Sequence, residues 1–340
     1  MGRRPGGRVT FRAIADEAGV SIATVSRVIN GQVPVSPATR QMVRQAARRL
    51  GGGLTEARPL ARPVFIYCPY ALTDYFGTIV TSVVETLALH GSRALVHAGE
   101  SAVGDTTSLL ALPEEPGIAG AVLVLPPSST RDLAALHARR YPLVVVDPRV
   151  ELPEDVASVS AAHAAGARRV TQHLLGLGHR RIGFIGGPRS WLASRNRLVG
   201  HTAALAETGL LPDPALTAEI TEPTTEQGHT AALRLLAGEP RPTALVAFND
   251  KTAAGAVRAA REKGLTVPGD LSVTGFDDSE LGQSITPALT TVRQPLEEMG
   301  RIAVSLLLRL IAGHAVDTLH VELATPLVVR ESTAPPRSAQ

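Results

Sequence analysis

The chain has 340 residues, of which 44% are hydrophobic, and a formal net charge of +3 at pH 7. This length favours two or three domains, and the hydrophobic content argues against a disordered protein because it can fill several cores. A single cysteine, Cys68, excludes an internal disulfide framework, and its place in an apolar run predicts a buried thiol.

The charge is concentrated at one end of the chain. Residues 1–62 hold eleven arginines, no lysine and three acidic residues, so the remainder is net acidic. A basic segment joined to an acidic body is typical of a protein with a polyanion-binding module. The opening residues, MGRRPGGR, lack the apolar stretch of a signal peptide, and no uninterrupted apolar run reaches membrane-spanning length. We therefore expect a cytoplasmic protein that makes no membrane contact.

Residues 9–30 predict two short helices joined by a tight turn. Gly19 stands where the chain reverses and can adopt a positive φ at no steric cost, and Ser21 can cap the second helix. Apolar residues recur at the spacing that packs two helices together: Ile14, Ala15, Ala18, Val20, Val25, Val28 and Ile29. A third helix is expected after Ser36, with Pro37 at its first position. A small structural bundle is the alternative, but the pattern favours a DNA-binding helix-turn-helix.

Residues 51–63, GGGLTEARPLARP, predict a linker. Beyond it, apolar segments predict strands at 63–69, 93–98, 120–125, 143–146, 181–185, 244–247, 271–276 and 289–293. Segments of helical periodicity alternate with them, at 79–90, 161–177, 196–208, 228–236 and 252–263. This alternation indicates parallel sheets with crossover helices, and the count suits two doubly wound subdomains. Such sheets bind ligands at the carboxyl ends of their strands.

The helix-turn-helix closely resembles that of the lactose-repressor (LacI/GalR) family of transcription regulators. The resemblance continues over nearly the whole chain, in the segments LGHRRIGFIGGP (177–188), FND (248–250), VPGDLSV (267–273), GFDD (275–278), PALTTVRQP (287–295) and REST (330–333). It implies an all-α helix-turn-helix head plus an α/β periplasmic-binding-protein-like body of two doubly wound parallel-sheet subdomains. A near-palindromic operator, a homodimer and a small-molecule effector are further implications, since one head covers only a half-site.

Domain boundaries follow from the linker and from the resemblance. The DNA-binding domain is expected in residues 1–50, the hinge or linker in 51–62, the effector-binding and dimerisation domain in 63–334, and a tail in 335–340. Within the body, subdomain 1 is expected at about 63–160 and 292–323, and subdomain 2 at about 161–291 and 324–334. The three crossovers then fall near residues 160, 291 and 323.

By the family pattern, Ile22, Ala23 and Arg27 face the base edges. Arginine can fork onto guanine, whereas an apolar side chain can only contact a thymine methyl group or exclude polar alternatives. Phosphate contacts, which fix the register, are expected from Thr10, Ser21, Thr24, Ser26, Asn30, Ser36 and Thr39. Leu60 is the candidate for insertion into the minor groove. Gly52, Gly53 and Pro59 depart from the family pattern, so the sequence leaves open whether residues 54–61 form a hinge helix.

The resemblance also implies the effector-binding residues, which are Tyr75, Phe76, Trp191, Arg197, Asn249 and Asp277. Aromatic faces suit a sugar ring, and the polar members offer donors and acceptors to hydroxyl groups. A sugar or sugar derivative is therefore the expected effector, with a nucleobase as the alternative. Ala162 and His163 replace an Asp-Asn pair of many relatives, and His163 is expected at the surface or in a linker, with a position facing the cleft as the alternative.

Two other functions compete with an effector-controlled regulator. An enzyme is disfavoured because the sequence has no Gly-x-Ser-x-Gly elbow, no phosphate-binding Gly-Lys-Ser/Thr loop and no metal-spaced histidine cluster. A solute-binding protein of a transporter is disfavoured by the basic head. We therefore predict a repressor with no catalytic residues, no metal and no cofactor. The sequence leaves open the effector, the operator, whether the effector induces or co-represses, and a dimer versus a tetramer.

Overall fold

The computed structural model of the chain describes residues 11–29, 36–50, 61–99, 106–314, 316 and 318–337. The chain divides into two compact units, a helical head within residues 1–61 and a body formed by most of the residues from 62 onwards. In these described ranges no helix is long and apolar enough to cross a membrane.

The head contains three helices, α1 (Phe11–Ala18), α2 (Ile22–Ile29) and α3 (Pro37–Arg49). Gly19 has a φ of +64°, which lets the chain reverse between α1 and α2. Each later helix begins at a serine, because the Oγ of Ser21 accepts the Thr24 N–H and the Oγ of Ser36 accepts the Thr39 N–H. The core of the head is Ile14, Ala15, Val25, Val43, Ala46 and Ala47. The predicted helix-turn-helix and its third helix are confirmed.

The body is an α/β fold. Its strands are β1 (Ala61–Cys68), β2 (Ser92–Ala98), β3 (Gly120–Val124), β4 (Leu143–Val146), β5 (Ser158–Ala161), β6 (Ile182–Gly186), β7 (Thr217–Glu219), β8 (Ala244–Ala247), β9 (Ser272–Thr274), β10 (Thr291–Val292), β11 (His320–Leu323) and β12 (Leu327–Val328). Its helices are α4 (Asp74–Leu89), α5 (Thr106–Ala111), α6 (Thr130–Ala138), α7 (His163–Gly176), α8 (Leu192–Glu207), α9 (Thr225–Leu236), α10 (Asp250–Glu262), α11 (Glu280–Ser284) and α12 (Leu296–Ile311).

The strands form two main sheets. Subdomain 1 is built on a six-stranded sheet of order β11-β5-β4-β3-β1-β2, covered by α4, α6 and α12. Subdomain 2 is built on a four-stranded sheet of order β7-β6-β8-β9, covered by α7 to α10, with an antiparallel pair, β10 and β12, beside it. The pairings from β11 through β1 and from β7 through β9 are parallel, which confirms the doubly wound architecture.

Both faces of each sheet are buried, as crossover helices require. In β1, alternate residues enter different cores: Val64, Ile66 and Cys68 pack under α4 and α12, whereas Phe65 and Tyr67 pack under α6. Cys68 is fully buried, which confirms the predicted buried thiol. Burial raises the pKa of this thiol to about 12, so it stays protonated and unreactive.

The chain passes between the two sheets three times. It leaves the first sheet after β5 to form α7 in subdomain 2, returns after β10 to form α12, and leaves again between β11 and β12. Because all three passages lie side by side, polar residues at these points can reach groups of both subdomains.

Candidate functional site

The exposed part of the head lies around the start of α2. Ile22 is 49% exposed, and the Ser21 and Thr24 side chains lie next to it, with their hydroxyl oxygens 2.9 Å apart. Val25 of the same helix is fully buried, so α2 has one face in the core and another towards solvent. Ser36 and Thr39 form the equivalent pair at the start of α3. Backbone N–H groups and hydroxyls at helix starts are suited to phosphate oxygens.

Several predicted DNA contacts cannot be placed. Thr10, Asn30 and Leu60 lie outside the described residues, as does most of the linker, including the candidate hinge helix. Ala23, Ser26 and Arg27 belong to α2, but their side chains are outside the described part of the structure.

A cavity of about 1100 Å³ opens between the two subdomains of the body. Its lining comes from positions just beyond strand ends and from the start of α4, as expected for parallel sheets. Asp147 follows β4 and Asp277 follows β9, while Tyr75 lies in the first turn of α4. All six predicted effector-binding residues line this cavity: Tyr75, Phe76, Trp191, Arg197, Asn249 and Asp277.

A buried chain of hydrogen bonds crosses the floor of the cavity. The Tyr75 hydroxyl donates to Oδ2 of Asp147 over 2.5 Å, and Nε2 of His163 lies 2.7 Å from Oδ1 of the same carboxylate. The Arg197 Nε–H points at Nδ1 of His163 over 3.4 Å. Because Nδ1 accepts from a guanidinium, the proton of this imidazole sits on Nε2 and is donated to Asp147. His163 therefore links Asp147 in subdomain 1 to Arg197 in subdomain 2.

The prediction that His163 lies at the surface or in a linker is wrong. Its side chain is only 4% exposed, because it begins α7 at the first crossover, where both subdomains enclose it. The departure from the Asp-Asn pair drew attention to residue 163, but it did not predict that His163 contacts Asp147 and Arg197. Sequence reasoning also missed Asp147 and Gln294, although each directly follows a predicted strand, which is the signal that could have found them.

The two carboxylates of the cavity are in different electrostatic surroundings. Burial alone would raise the pKa of Asp147. The neighbouring His163, Tyr75 and Arg197 together lower it by more than burial raises it, so the pKa lies below the ordinary value. Burial raises the pKa of Asp277, and only part of this is offset by Arg197, whose Nη2 is 3.8 Å away. Asp147 is thus a firmly ionised acceptor, whereas the charge on Asp277 is less well stabilised.

Arg197 is held on every side. Its guanidinium carbon lies 4.4 Å from the ring centroid of Phe248 and 3.7 Å from that of Phe276. Nη1 donates to the Phe248 carbonyl oxygen, and Nε faces His163. The side chain is 4% exposed, so its position is determined by packing as well as by charge.

Aromatic residues form one wall of the cavity. Phe76 stacks on Tyr70 with ring centroids 4.1 Å apart, so one of its faces is already covered. Trp191 meets Tyr70 and Phe248 edge-on, and the Arg149 guanidinium lies 4.9 Å from the Trp191 centroid. This cluster presents flat apolar edges and faces of the kind that pack against a sugar ring.

Two polar residues that line the cavity have part of their hydrogen-bonding capacity in use. Asn249 caps α10, since its Oδ1 accepts the Thr252 N–H over 3.0 Å, which leaves its amide N–H groups towards the cavity. Nε2 of Gln294 donates to Oδ1 of Asp277 over 2.6 Å. Oε1 of Gln294 is buried and accepts no hydrogen bond from the described residues.

Adjacent carboxylates at 277 and 278 do not act as a pair. Both residues have positive φ, +113° and +60°, and this tight turn after β9 sends the side chains apart. Asp278 is buried between Arg293 and Arg330, at 2.6 and 2.5 Å, whereas Asp277 faces Arg197 and Gln294. Across the described residues, no group of three or more side chains is arranged to hold a metal ion.

Comparisons with known proteins match both units. Residues 10–51 match the family described as bacterial regulatory proteins, lacI family, and residues 171–333 match the periplasmic binding protein-like domain. The chain is 38% identical over 335 residues to an uncharacterised HTH-type transcriptional regulator, in the aml 5′ region, of Streptomyces limosus, covering 94% of this chain and 93% of that protein.

Two solved structures have the same architecture. The transcriptional regulator CelR in complex with cellobiose superposes with a TM-score of 0.73 at 32% identity, covering 97% of this chain and all of that one. A lac repressor dimer bound to operator and the anti-inducer ONPF superposes with a TM-score of 0.69 at 28% identity, covering 96% and 100%.

Proposed function

This chain belongs to the LacI family of bacterial regulatory proteins, and we propose that it is a repressor whose operator binding is controlled by a sugar held between its two subdomains. The observation that carries this proposal is the combination, in one chain, of a helix-turn-helix with an exposed α2 face and a polar cavity between two parallel-sheet subdomains. The proposed site of action is chromosomal DNA in the cytoplasm.

On the DNA side, we assign base contacts to Ile22, Ala23 and Arg27. Phosphate contacts are assigned to Thr10, Ser21, Thr24, Ser26, Asn30, Ser36 and Thr39, and minor-groove insertion to Leu60. The capping geometry at the starts of α2 and α3 supports the phosphate assignments, since it puts hydroxyls and backbone N–H groups of both helices at exposed positions.

On the effector side, the six residues predicted from sequence are joined by Asp147 and Gln294. Stacking surfaces and separate donors and acceptors in one cavity suit a sugar, and a neighbour of the same fold was solved with cellobiose. The arrangement does not suit an enzyme: the carboxylates at 277 and 278 point apart, and the buried His163 has both ring nitrogens in use.

Control of DNA binding would work through the relative angle of the subdomains. A sugar that contacts both subdomains binds one angle better than another and shifts the population towards it. In a homodimer this angle sets the spacing of the two heads, and hence the fit to two half-sites. The lac repressor neighbour was solved as a dimer on its operator.

The DNA half is tested by a gel-shift assay at moderate salt with the chain's own promoter region and with random duplex. Preference for the promoter fragment is expected, and equal affinity for both would refute a sequence-specific regulator. Arg27→Ala should relax preference at one guanine position by about 1–3 kcal/mol. Arg12→Ala, an exposed arginine of α1, removes the same charge and should leave the base preference unchanged.

A further inference from the structure

We propose that the effector is an uncharged sugar of two or more rings, and that the cavity rejects phosphorylated and acidic sugars. This inference rests on the proposed function and specifies the effector of the same cavity. It follows from how the charged groups of the cavity are already paired, from one buried acceptor and from the extent of the cavity.

Arg197 cannot act as an anion clamp. An arginine that binds phosphate or carboxylate presents two parallel N–H groups to it. Here the guanidinium lies over the rings of Phe248 and Phe276, Nη1 donates to a carbonyl oxygen, and Nε faces His163. The remaining N–H groups are on Nη1 and Nη2, and Nη2 already lies 3.3 Å from Nδ1 of His163 and 3.8 Å from Oδ1 of Asp277, so an anion would have to compete with that carboxylate for the guanidinium.

The other cations that line the cavity also lie on carboxylates. Nζ of Lys251 is 2.9 Å from Asp74, and Nε of Arg293 is 2.6 Å from Asp278. Arg301 pairs with both Glu298 and Glu297. An anionic effector would have to displace one of these carboxylates before it gained a cationic partner. Breaking the existing ion pair would offset most of the Coulomb energy gained from the new one.

Carboxylates outnumber cations around the cavity. Glu85 and Glu280 also line it, and in the described part of the chain no cation lies on either side chain. The raised pKa of Asp277 is consistent with this excess, because its causes include burial and the charge of Asp147. Further negative charge placed here would be repelled and would raise that pKa again.

The buried oxygen of Gln294 favours hydroxyl groups directly. Its Oε1 is an acceptor without a donor among the described residues, in a side chain that is only 5% exposed and lines the cavity. A buried acceptor left unpaired is unfavourable, so a ligand that supplies an O–H gains affinity there. Hydroxyls donate, whereas an ionised phosphate offers acceptors only.

The extent of the cavity favours more than one ring. Its volume of about 1100 Å³ lies just above the range of about 300–1,000 Å³ usual for small-molecule sites. The lining follows α4 from Tyr75 through Thr78 and Thr81 to Glu85. These ten positions of a helix correspond to about 15 Å. A sugar ring against the aromatic wall can therefore continue into a second ring along α4.

The experiment uses the full chain and first establishes promoter binding, both without sugar and with the mixed disaccharides present. Calorimetry and gel shift then compare neutral disaccharides (maltose, cellobiose, lactose, sucrose, trehalose, melibiose) with glucose, glucose 6-phosphate, trehalose 6-phosphate and glucuronate. We expect at least one neutral disaccharide to bind and to change operator affinity, more strongly than every anionic sugar and than glucose. Tighter binding of an anionic or single-ring sugar, or no response to any disaccharide, overturns the inference. Loss of promoter preference in the first step would instead refute the proposed function.

A charge-reversal variant tests the electrostatic cause. Glu85→Lys combined with Glu280→Lys should raise the affinity for the phosphorylated form of the bound disaccharide, relative to the affinity for the neutral form, by about tenfold at low salt. Glu115→Lys, an exposed residue that does not line the cavity, is the matched control and should change neither. Equal gains in both variants, or none in the double variant, would contradict the explanation.

Discussion

His163 shows how one residue acquires a role from three partners. It receives the Arg197 N–H at one ring nitrogen and donates to Asp147 from the other, while its ring lies 5.9 Å from that of Phe276. In this chain, the imidazole at the position of the family's usual asparagine is what connects the arginine of the cavity to the Asp147 carboxylate.

Replacing His163 should lower the free energy of unfolding far more than replacing an exposed histidine that also contacts a carboxylate. His163→Leu leaves Oδ1 of the buried Asp147 carboxylate without its donor, while the Tyr75 hydroxyl still donates to Oδ2, and this should cost about 3 kcal/mol. His137→Leu is the matched control, since His137 lies 3.0 Å from Asp155 but both side chains are exposed, and it should cost at most about 1 kcal/mol. Urea denaturation at pH 7 measures both free energies of unfolding, and similar small losses would argue against a buried network.

Arg197 should control the effector response without controlling DNA binding. Arg197→Lys keeps the charge but loses the planar donors and the stacking on two rings, so sugar affinity should fall by about tenfold or more. Arg195→Lys, two residues away on α8, changes an exposed side chain 3.7 Å from Glu151 and should have little effect. Calorimetry with the bound sugar measures the first effect, and gel shift should show operator affinity within a few fold for both. Parallel loss of sugar and operator binding would contradict the assignment.

At the scale of elements, close helix packing in subdomain 2 depends on glycine. A Cβ added at Gly200 of α8 would lie 2.0 Å from the Ala164 carbonyl oxygen of α7, and one added at Gly255 of α10 would lie 2.1 Å from the Thr225 carbonyl oxygen. Both helix pairs lie against the sheet that carries the cavity. The small residues therefore set how near the helices approach, and through them where Arg197 and Asn249 stand.

Gly200→Ala should separate α7 from α8 and lower the free energy of unfolding by about 1–3 kcal/mol. Gly176→Ala is the control: Gly176 ends α7, and a Cβ there meets nothing within 4 Å. That change should be neutral or stabilising by up to about 1 kcal/mol, since alanine restricts the unfolded chain. Chemical denaturation of both variants measures their free energies of unfolding. Equal destabilisation would mean that close packing of α7 against α8 is not the cause.

Elements with a strong apolar run were predictable, and weaker ones were not. All eight predicted strands occur, with the segment at 271–276 shortened to Ser272–Thr274 and that at 289–293 shortened to Thr291–Val292. The strands β5, β7, β11 and β12 were missed because they are short or alternate with polar residues at sheet edges. The prediction also omitted the helices α6 and α12, although α12 packs against the first sheet.

At the scale of the whole molecule, pH dependence of stability reflects several buried groups with opposite effects. Burial raises the pKa values of Asp250 and Asp277, so these carboxyls favour folding as the pH falls below neutrality. His201, buried in α8 against Phe184, has the opposite influence, because burial lowers its pKa to about 4. The contribution of each group to the pH dependence is obtained by comparing the unfolding free energy of the parent with that of a variant that lacks the group.

His201→Gln should reduce the loss of stability at mildly acidic pH. In the parent protein the unfolded chain takes up a proton near pH 6.5 that the folded His201 refuses until about pH 4, so stability falls as the pH falls through this window. Between pH 7.5 and 5 this amounts to about 2 kcal/mol. Denaturation at both pH values measures the free energies of unfolding. The amount by which the parent exceeds the variant should be smaller at pH 5 than at pH 7.5 by about this value. A difference that is the same at both pH values would contradict this role of His201.

The sequence alone determined the features that depend on residues close together along the chain. The helix-turn-helix follows from apolar spacing, Gly19 and two capping serines, and the doubly wound body follows from alternating strands and helices. The six cavity residues came from the resemblance to the LacI/GalR family, which matches motifs near strand ends. The tertiary structure alone decided which of them meet: Asp147, His163, Arg197 and Asp277 are far apart in sequence and come together only because three chain passages bring the two sheets side by side. A pairing of that kind has no local signal, which is why the buried state of His163 could not be read from its neighbours.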